Sequence, residues 1–158
     1  MHERAEAFAR RAAEQGLDDV EVREFPEGTK TAADAAEAVG CDVAQIASSI
    51  AMVADELVVV VTSGANRVSE RRLADLRGVD AADVRMAEAD EVKETLGWAI
   101  GGVPPFCHET SVPVYLDERL REFETVWAAA GTPRAVFPVS PDRITALADA
   151  DPAAVARE

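Results

Sequence analysis

The first quarter of the chain switches between helical and extended spacings of apolar residues. Residues 3–14 carry apolar side chains every three to four positions, which predicts an amphipathic helix. Residues 20–25 alternate apolar with charged side chains, which predicts a half-buried strand followed by a turn at 26–28. Thr31 is a good N-cap residue, so a second helix is expected over 32–39.

The middle of the chain holds its most apolar segments. Residues 50–53 and 57–62 are separated by Ala54-Asp55-Glu56, which predicts a β-hairpin. The second of these strands is apolar at successive positions, so it is expected to be buried on both faces. Asp42, followed three residues later by Gln45, predicts a capping box on a short helical turn just before the hairpin.

The second half alternates short helices and strands without a repeating unit. The predicted elements are a helix from Ser69 to 76, a short strand at 84–86, a helix at 87–96, a loop at 97–105, strands at 112–116, 125–129 and 135–139, and a last helix opened by Ser140-Pro141. Interspersed strands and helices predict the α+β class with a mixed sheet. The length and the absence of repeats predict one domain over residues 1–158.

Acidic residues dominate the charge. The formal net charge is −14, and only Lys30 and Lys93 among the 16 basic residues are lysine. Self-repulsion of such a surface is screened at molar salt, so the composition predicts a protein from a salt-loving organism. An acidic surface matched to a basic partner is the alternative. The longest apolar run and the charged N-terminus lack the pattern of a membrane span or signal peptide, so a cytoplasmic location is expected, with no membrane partner.

The two cysteines, Cys41 and Cys107, are expected to be free thiols, because a disulfide is improbable in a cytosolic chain. With so few histidines and cysteines, no metal site is expected. Cys107-His108 is a conceivable thiolate–imidazole pair, although adjacent residues on an extended chain point to opposite faces. His108 alone is the other hypothesis, as a group that contacts substrate.

Small and hydroxyl residues form the other candidate site. The segment Gly101-Gly102-Val103-Pro104-Pro105 could present backbone amides to a carbonyl oxygen, or could be a structural turn. Ser48-Ser49 precede the first apolar strand and could bind a ligand or satisfy the local backbone. Thr62 ends the second strand and is a candidate for lining the same site.

A locally basic stretch follows the hairpin. Residues 66–77 contain four arginines and two acids, which is unusual in so acidic a chain. Arg67 and Arg71 are four positions apart and would share a helical face, with Arg72 beside them. This stretch is either a phosphate-binding surface or an exposed helix of ion pairs.

Read in order, these segments resemble the YbaK/EbsC family of aminoacyl-tRNA deacylases, whose domain also occurs with prolyl-tRNA synthetases. The match is carried by Thr31–Gly40, Gln45–Ile50 with its hairpin, Asn66-Arg67-Val68, and Gly97–Pro105, which contains the GxxxP motif at Gly101 to Pro105. The resemblance implies a mixed, barrel-like sheet wrapped by helices. It also implies hydrolysis of the ester between tRNA, typically tRNA for proline, and a small wrong amino acid.

In that family picture Gly101, Gly102 and Pro105 orient the ester carbonyl, and water attacks without a protein nucleophile or cofactor. The resemblance makes Ser48 a further catalytic candidate, and makes Thr31, Ser49, Thr62, Asn66 and His108 candidates for substrate binding. Arg67, Arg71 and Arg72 are the expected tRNA contacts. The expected partners are aminoacyl-tRNA and a cooperating synthetase but not DNA, and the expected state is a monomer or homodimer.

One position departs from the family pattern. Ser48 stands where the family has a lysine before the central strand. A lysine supplies a fixed positive charge, whereas serine supplies a neutral hydroxyl. Three explanations stay open: Arg67 replaces the charge, the substrate differs, or the protein is a binding module that holds an aminoacyl-adenosine, an amino acid or a tRNA end without hydrolysis.

Overall fold

The computed structural model describes residues 3–18, 20–25 and 31–157, and these form five α-helices around an eight-stranded mixed sheet. The helices are α1 (Glu3–Glu14), α2 (Ala32–Val39), α3 (Glu70–Arg77), α4 (Ala89–Leu96) and α5 (Pro141–Ala148). The strands are β1 (Arg23–Glu24), β2 (Ile46–Ala54), β3 (Glu56–Ser63), β4 (Arg85–Met86), β5 (Val114–Asp117), β6 (Val126–Ala129), β7 (Ala135–Val139) and β8 (Asp151–Ala153). The predicted α+β class with a mixed sheet is therefore confirmed.

The β2–β3 hairpin is the centre of the sheet. The strand order is β1-β7-β6-β2-β3-β5-β8, and β4 pairs with β2 outside this path. β2 is antiparallel to β3 and β4 but parallel to β6, while β3 is parallel to β5 and β5 to β8. Asp55 adopts a positive φ of 67° at the hairpin turn, where the left-handed conformation is tolerated by Asp.

Two apolar layers explain why β3 has no polar face. Val59 and Val61 pack into the main core with α1 and α4, whereas Val58 and Val60 pack into a second cluster with Leu73 of α3. Successive strand residues point to opposite faces, so burial of all four requires a layer on each side. The predicted burial of this strand on both faces is confirmed.

The helix caps read from the sequence are also confirmed. Thr31, Ser69 and Ser140 cap α2, α3 and α5, each accepting a hydrogen bond from the backbone N–H three residues on, at 3.1–3.2 Å. Gly78 ends α3 in the left-handed conformation, with φ 70°. Among the helices of the described ranges, none has both the length and the apolar character required to cross a membrane.

Several boundaries differ from the prediction. The strand expected over 20–25 is only the two residues of β1, and the helix expected from 87 begins at Ala89. β2 begins at Ile46, so Ser48 and Ser49 lie within the strand and not before it. β8 was not predicted, because its sequence, Asp-Pro-Ala, has low strand propensity and is fixed by pairing with β5. The turn predicted at 26–28 lies outside the described residues.

Candidate functional site: two adjoining clefts on β2

A cleft opens along the edge of β2 that faces away from β3. On this edge β6 pairs with Ile46 and Ala47, and β4 pairs with Met52 and Val53. Within the described chain, no strand register covers residues 48–51, but Ala87 N donates to Ala51 O at 3.0 Å, so the uncovered part of this edge is 48–50. The gap between β6 and β4 is a cleft of about 330 Å³, which we call the first cleft. This volume is at the lower end of the about 300 to 1,000 Å³ typical of ligand sites.

The lining of the first cleft is mostly apolar. It consists of Thr31, Ala32, Ala35, Ile46, Ala47, Ser48, Ser49, Ile50, Ala51, Met86, Ile100, Gly101, Val103, Trp127, Ala129, Pro133, Ala135 and Val136. Three of these carry hydroxyl groups, and within the described part of the chain none carries a charged side chain. Such a surface suits a small, largely apolar group, oriented by hydroxyl and backbone contacts.

Ser49 contributes an unusual polar atom to this cleft. Its Oγ is buried, and it has no hydrogen-bond partner among the described residues. Leaving a buried hydroxyl unsatisfied costs about 1 to 3 kcal/mol. A ligand that displaces the atoms covering Ser49 Oγ and bonds to it would recover part of that cost, so Ser49 is one candidate for ligand contact in the first cleft.

The glycine-proline loop borders the same cleft, but only through its first residues. Ile100, Gly101 and Val103 line the cleft, and Gly101 has a φ of 86°, which favours glycine. This backbone conformation turns the chain so that Gly101 is exposed beside the cleft. Space therefore exists in front of the loop at Gly101, as the family resemblance requires.

The remaining loop residues predicted to act on substrate have structural contacts instead. The N–H of Gly102 donates to Ala99 O at 3.0 Å, and a Cβ on Gly102 would lie 2.7 Å from Thr132 Cα. Pro105 is buried and has no N–H. Neither Gly102 nor Pro105 lines the cleft. Their predicted direct role is corrected to one of holding the loop against its neighbours.

Aromatic packing holds the loop from below. Phe8 of α1 contacts the rings of Trp98 and Phe106 at centroid distances of 6.3 and 5.8 Å. Trp98 Nε1 donates to Cys107 O at 2.9 Å, and the side chain of Arg4 donates to Gly97 O. These contacts secure both ends of the loop, so the position of Gly101 is set by α1 and the core.

His108 also holds this loop in place, through a hydrogen bond. Its Nε2 lies 2.8 Å from Pro104 O, which fixes the neutral tautomer that donates from Nε2. Burial lowers the pKa of His108, and the charge of Arg11 lowers it further against the opposing effect of the Pro104 hydrogen bond. His108 does not line the cleft. The predicted substrate contact is therefore replaced by a positioning role.

Cys107 is unsuited to nucleophilic chemistry. It is 3% exposed and does not line either cleft. Burial raises the pKa of its thiol to about 11, so the reactive thiolate is disfavoured near neutral pH. The hypothesis of a Cys107–His108 nucleophile is therefore wrong on both geometry and ionisation.

A second cleft of about 380 Å³ adjoins the first. Its lining includes Ala32, Ser48, Ile50, Met52, Thr62, Ser63, Gly64, Asn66, Arg67, Val68, Glu70, Met86 and Arg157. Ala32, Ser48, Ile50 and Met86 line both clefts and form their shared wall. Ser48, the position of the family lysine, is therefore at the junction between the two spaces.

The predicted substrate residues divide between these clefts. Thr31 and Ser49 line the first, whereas Thr62 and Asn66 line the second. Thr62 Oγ1 donates to Asp117 Oδ2 at 3.4 Å, and Asn66 Oδ1 accepts from Arg119 Nη1 at 3.1 Å. The expectation of one common pocket is thus replaced by two adjoining clefts that meet at Ser48.

Arg77 does not share a surface with the other three arginines of the basic stretch. Arg67 lines the second cleft, while Arg71 and Arg72 border a shallow groove along α3. Arg77 is turned away, since it forms ion pairs with Asp55 and Glu56 at 3.0 and 2.8 Å. Three of the four arginines of this stretch therefore lie near the clefts.

Three of the lining residues that sequence reasoning missed have side chains that bear on binding. Met86 and Ile100 are 54% and 49% exposed although they are large and apolar, and both border the first cleft. Arg157 borders the second cleft because Ala156 forms an isolated bridge with Val68. A sequence signal existed only for Ile100, which lies inside the glycine-rich loop.

Comparison with known proteins agrees with this geometry. Residues 26–147 match the sequence profile of the aminoacyl-tRNA editing domain. The uncharacterized protein YwhH of Bacillus subtilis (strain 168) is 31% identical over 127 residues, which is 79% of each chain. The proline–tRNA ligase of Shouchella clausii (strain KSM-K16) is 31% identical over 112 residues, which is 70% of this chain but 19% of the ligase.

Solved structures show the same fold over the whole chain. The crystal structure of a candidate trans-editing enzyme for prolyl-tRNA synthetase has 38% sequence identity and a TM-score of 0.93, covering 100% of this chain and 99% of that one. The crystal structure of hypothetical protein APE2540 has 25% identity and a TM-score of 0.83, covering 94% and 97%. The chain belongs to the aminoacyl-tRNA editing domain family.

Proposed function

We propose that this protein is a trans-acting aminoacyl-tRNA deacylase that removes a small, wrong amino acid from tRNA for proline. The observation that carries the proposal is the first cleft, in which the uncovered edge of β2 faces the loop at Gly101. The similarity to a proline–tRNA ligase and to a candidate trans-editing enzyme supports proline as the tRNA identity.

The reaction is hydrolysis of an ester. Water adds to the carbonyl carbon, the bond to the ribose oxygen breaks, and the proton released by water is transferred to that oxygen. The free amino acid and the uncharged tRNA are the products. The lining described for the first cleft has no titratable side chain. The proposed base that assists the water is a group of the substrate itself, such as its ribose hydroxyl or its amine.

The protein contributes the positioning of the ester. The apolar side chains around Trp127 hold the small amino-acid side chain, and the backbone around Gly101 contacts the ester. Ser48 and Ser49 of β2 also line this cleft. Fixing the ester in a reactive geometry lowers the entropy cost of the reaction, which is a large part of many enzymatic accelerations.

A panel of tRNAs tests the proposal. Purified protein is incubated at high salt with tRNA for proline carrying alanine, serine, cysteine or proline, and ester loss is followed against tRNA alone. Loss of one or more small residues should be accelerated while prolyl-tRNA is spared. Decay at the background rate for every tRNA would reject the enzyme function.

A non-catalytic binding module is the second candidate, favoured by the lack of a charged side chain among the described residues that line the first cleft. A family member without the lysine charge has lost a contact that favours charge development at the ester. This candidate predicts saturable binding of a non-hydrolysable aminoacyl-adenosine without turnover of the ester. Binding accompanied by hydrolysis would reject it.

A further inference from the structure

The second cleft continues directly from the first through a shared wall. Ser48, Ile50 and Met86 border both spaces. A molecule that places an acyl group in the first cleft therefore has its alcohol portion at or over this wall. For the proposed ester, on which this inference rests, the alcohol portion is the ribose of the last nucleotide.

The wall and floor of the second cleft suit a nucleobase. Met52, Val68 and Met86 give it an apolar floor, and Met86 is 54% exposed. A methionine thioether makes favourable contacts with aromatic rings, and an exposed one is available for stacking. Asn66 lies on the rim of this cleft, and Arg119 orients its side-chain amide. That amide is therefore placed to hydrogen-bond the edge of a base or a ribose hydroxyl.

The rim of the second cleft carries two arginines that the chain brings together from distant positions. Arg157 N donates to Arg67 O at 2.7 Å, and Arg157 Nε donates to Val68 O at 3.1 Å. Glu70 offsets part of this charge, since it lies 3.8 Å from Arg157 Nη2. Arg67 is exposed, and its side chain makes no ion pair or hydrogen bond with any residue that the structure describes.

The positive rim extends beyond the cleft. Arg157 also borders the shallow groove along α3, together with Arg71, Arg72 and the acidic Asp75. Four arginines and two acids therefore line one continuous path in a chain whose net charge is −14. Such local charge is complementary to a phosphate backbone.

We propose that the second cleft binds the 3′-terminal nucleoside of the RNA, with its base on Met86, and that Arg67 and Arg157 bind the phosphate before it. Arg71 and Arg72 then contact the next phosphates along α3. The path runs from the acyl group in the first cleft, across Ser48, to the nucleoside and its backbone. Arg157 is thereby assigned an RNA-binding role that the local sequence does not indicate.

Binding of RNA that carries no amino acid tests this proposal independently of ester hydrolysis. Fluorescence anisotropy compares a hairpin RNA ending in single-stranded CCA with the same hairpin lacking those three nucleotides. The wild type should prefer the CCA hairpin. Arg67→Gln and Arg157→Gln should each weaken its binding by about 3- to 10-fold and lower the salt slope by about 0.7. Met86→Ser should reduce the preference for CCA while leaving the salt slope unchanged.

Arg10→Gln is the matched control, because Arg10 is exposed on α1 and borders neither cleft. It removes the same charge and should retain the preference for CCA. Equal binding of both hairpins by the wild type, or equal losses in Arg10→Gln and Arg157→Gln, would overturn the proposal. Preferential binding that depends on Arg157 but occurs without ester hydrolysis would uphold this inference and reject the deacylase function. If Arg67→Gln and Arg157→Gln leave the rate of hydrolysis unchanged, the deacylase function stands and this inference is rejected.

Discussion

Ser48 on β2 is directly opposite Thr62 on β3, and both residues border the second cleft while Ser48 also borders the first. The junction between the two spaces therefore carries a small neutral residue at the position where the family resemblance implies a lysine. In the proposed complex, a side chain at position 48 lies next to both the acyl group in the first cleft and the nucleotide in the second.

Ser48→Lys should increase deacylation if the missing charge limits the rate. A charge-assisted contact at the ester is worth about 2 to 4 kcal/mol, so the gain in kcat/KM should be about 30- to 1000-fold. Single-turnover hydrolysis of alanyl-tRNA measures it. Ser48→Gln is the control, since it adds length without charge. An equal gain in both variants would contradict an electrostatic origin.

Ser49→Ala should stabilise the fold and impair ligand binding. The substitution removes a buried hydroxyl without a partner, so the free energy of unfolding should rise by about 1 kcal/mol. Urea unfolding gives this value, and hydrolysis of misacylated tRNA should fall in the same variant.

Ser63→Ala is the matched control for that measurement. Ser63 Oγ donates to Ala44 O at 2.7 Å, so the same substitution should here lower stability by about 1 kcal/mol. If both variants lose stability equally, then Ser49 Oγ has a partner in solution and is not held free for a ligand.

The loop glycines should differ in their response to alanine. In Gly102→Ala the new Cβ would meet the backbone of Thr132, and overpacking of this kind costs about 1 to 3 kcal/mol. In Gly101→Ala the nearest atom is Pro133 Cγ at 3.4 Å, so the cost comes from the positive φ, about 1 to 2 kcal/mol.

Activity separates the two glycine variants further. Gly101 borders the first cleft, so Gly101→Ala should reduce hydrolysis by more than its loss of stability explains. Unfolding curves and kinetics at a temperature where both variants are folded provide the comparison. A larger kinetic defect in Gly102→Ala would mean that the loop contacts substrate through Gly102 after all.

Protonation of His108 should loosen the loop. The folded-state pKa of His108 is lowered mainly by burial, so the unfolded chain binds this proton more readily than the folded protein does. Stability should therefore fall as the pH drops below about 6.5, by no more than about 1.4 kcal/mol per pH unit from this group.

His108→Gln should remove that component, because glutamine can donate to Pro104 O without titrating. Urea unfolding at several pH values between about 7 and about 5.5 compares it with the wild type. His2→Gln is the control, since His2 is the other histidine of the chain. The same pH dependence in all three proteins would show that His108 is protonated equally well when folded.

Increasing salt concentration should stabilise the protein and lower its affinity for RNA. At a net charge of −14, screening relieves self-repulsion, so the melting temperature should rise between about 0.1 M and about 2 M KCl. RNA affinity should fall over the same range as counterions compete. A melting temperature independent of KCl would contradict adaptation to salt, which stays a prediction from composition.

Local patterns in the sequence determined most of the secondary structure. The spacing in 3–14, the caps at Thr31, Ser69 and Ser140, and the apolar hairpin each act over a few residues, so they are readable without a fold. The order of the family motifs was also in the sequence, and it identified the editing domain before any geometry was known.

Tertiary structure decided what those motifs do. That the edge of β2 is left uncovered at 48–50 depends on where β4 and β6 end, and the contact of Arg157 with Arg67 depends on a bridge between Val68 and Ala156. Both join positions far apart in the chain, and no local propensity encodes such pairings. The sequence thus named some of the candidate residues, and long-range packing divided these into those that border the clefts and those that lie behind the lining.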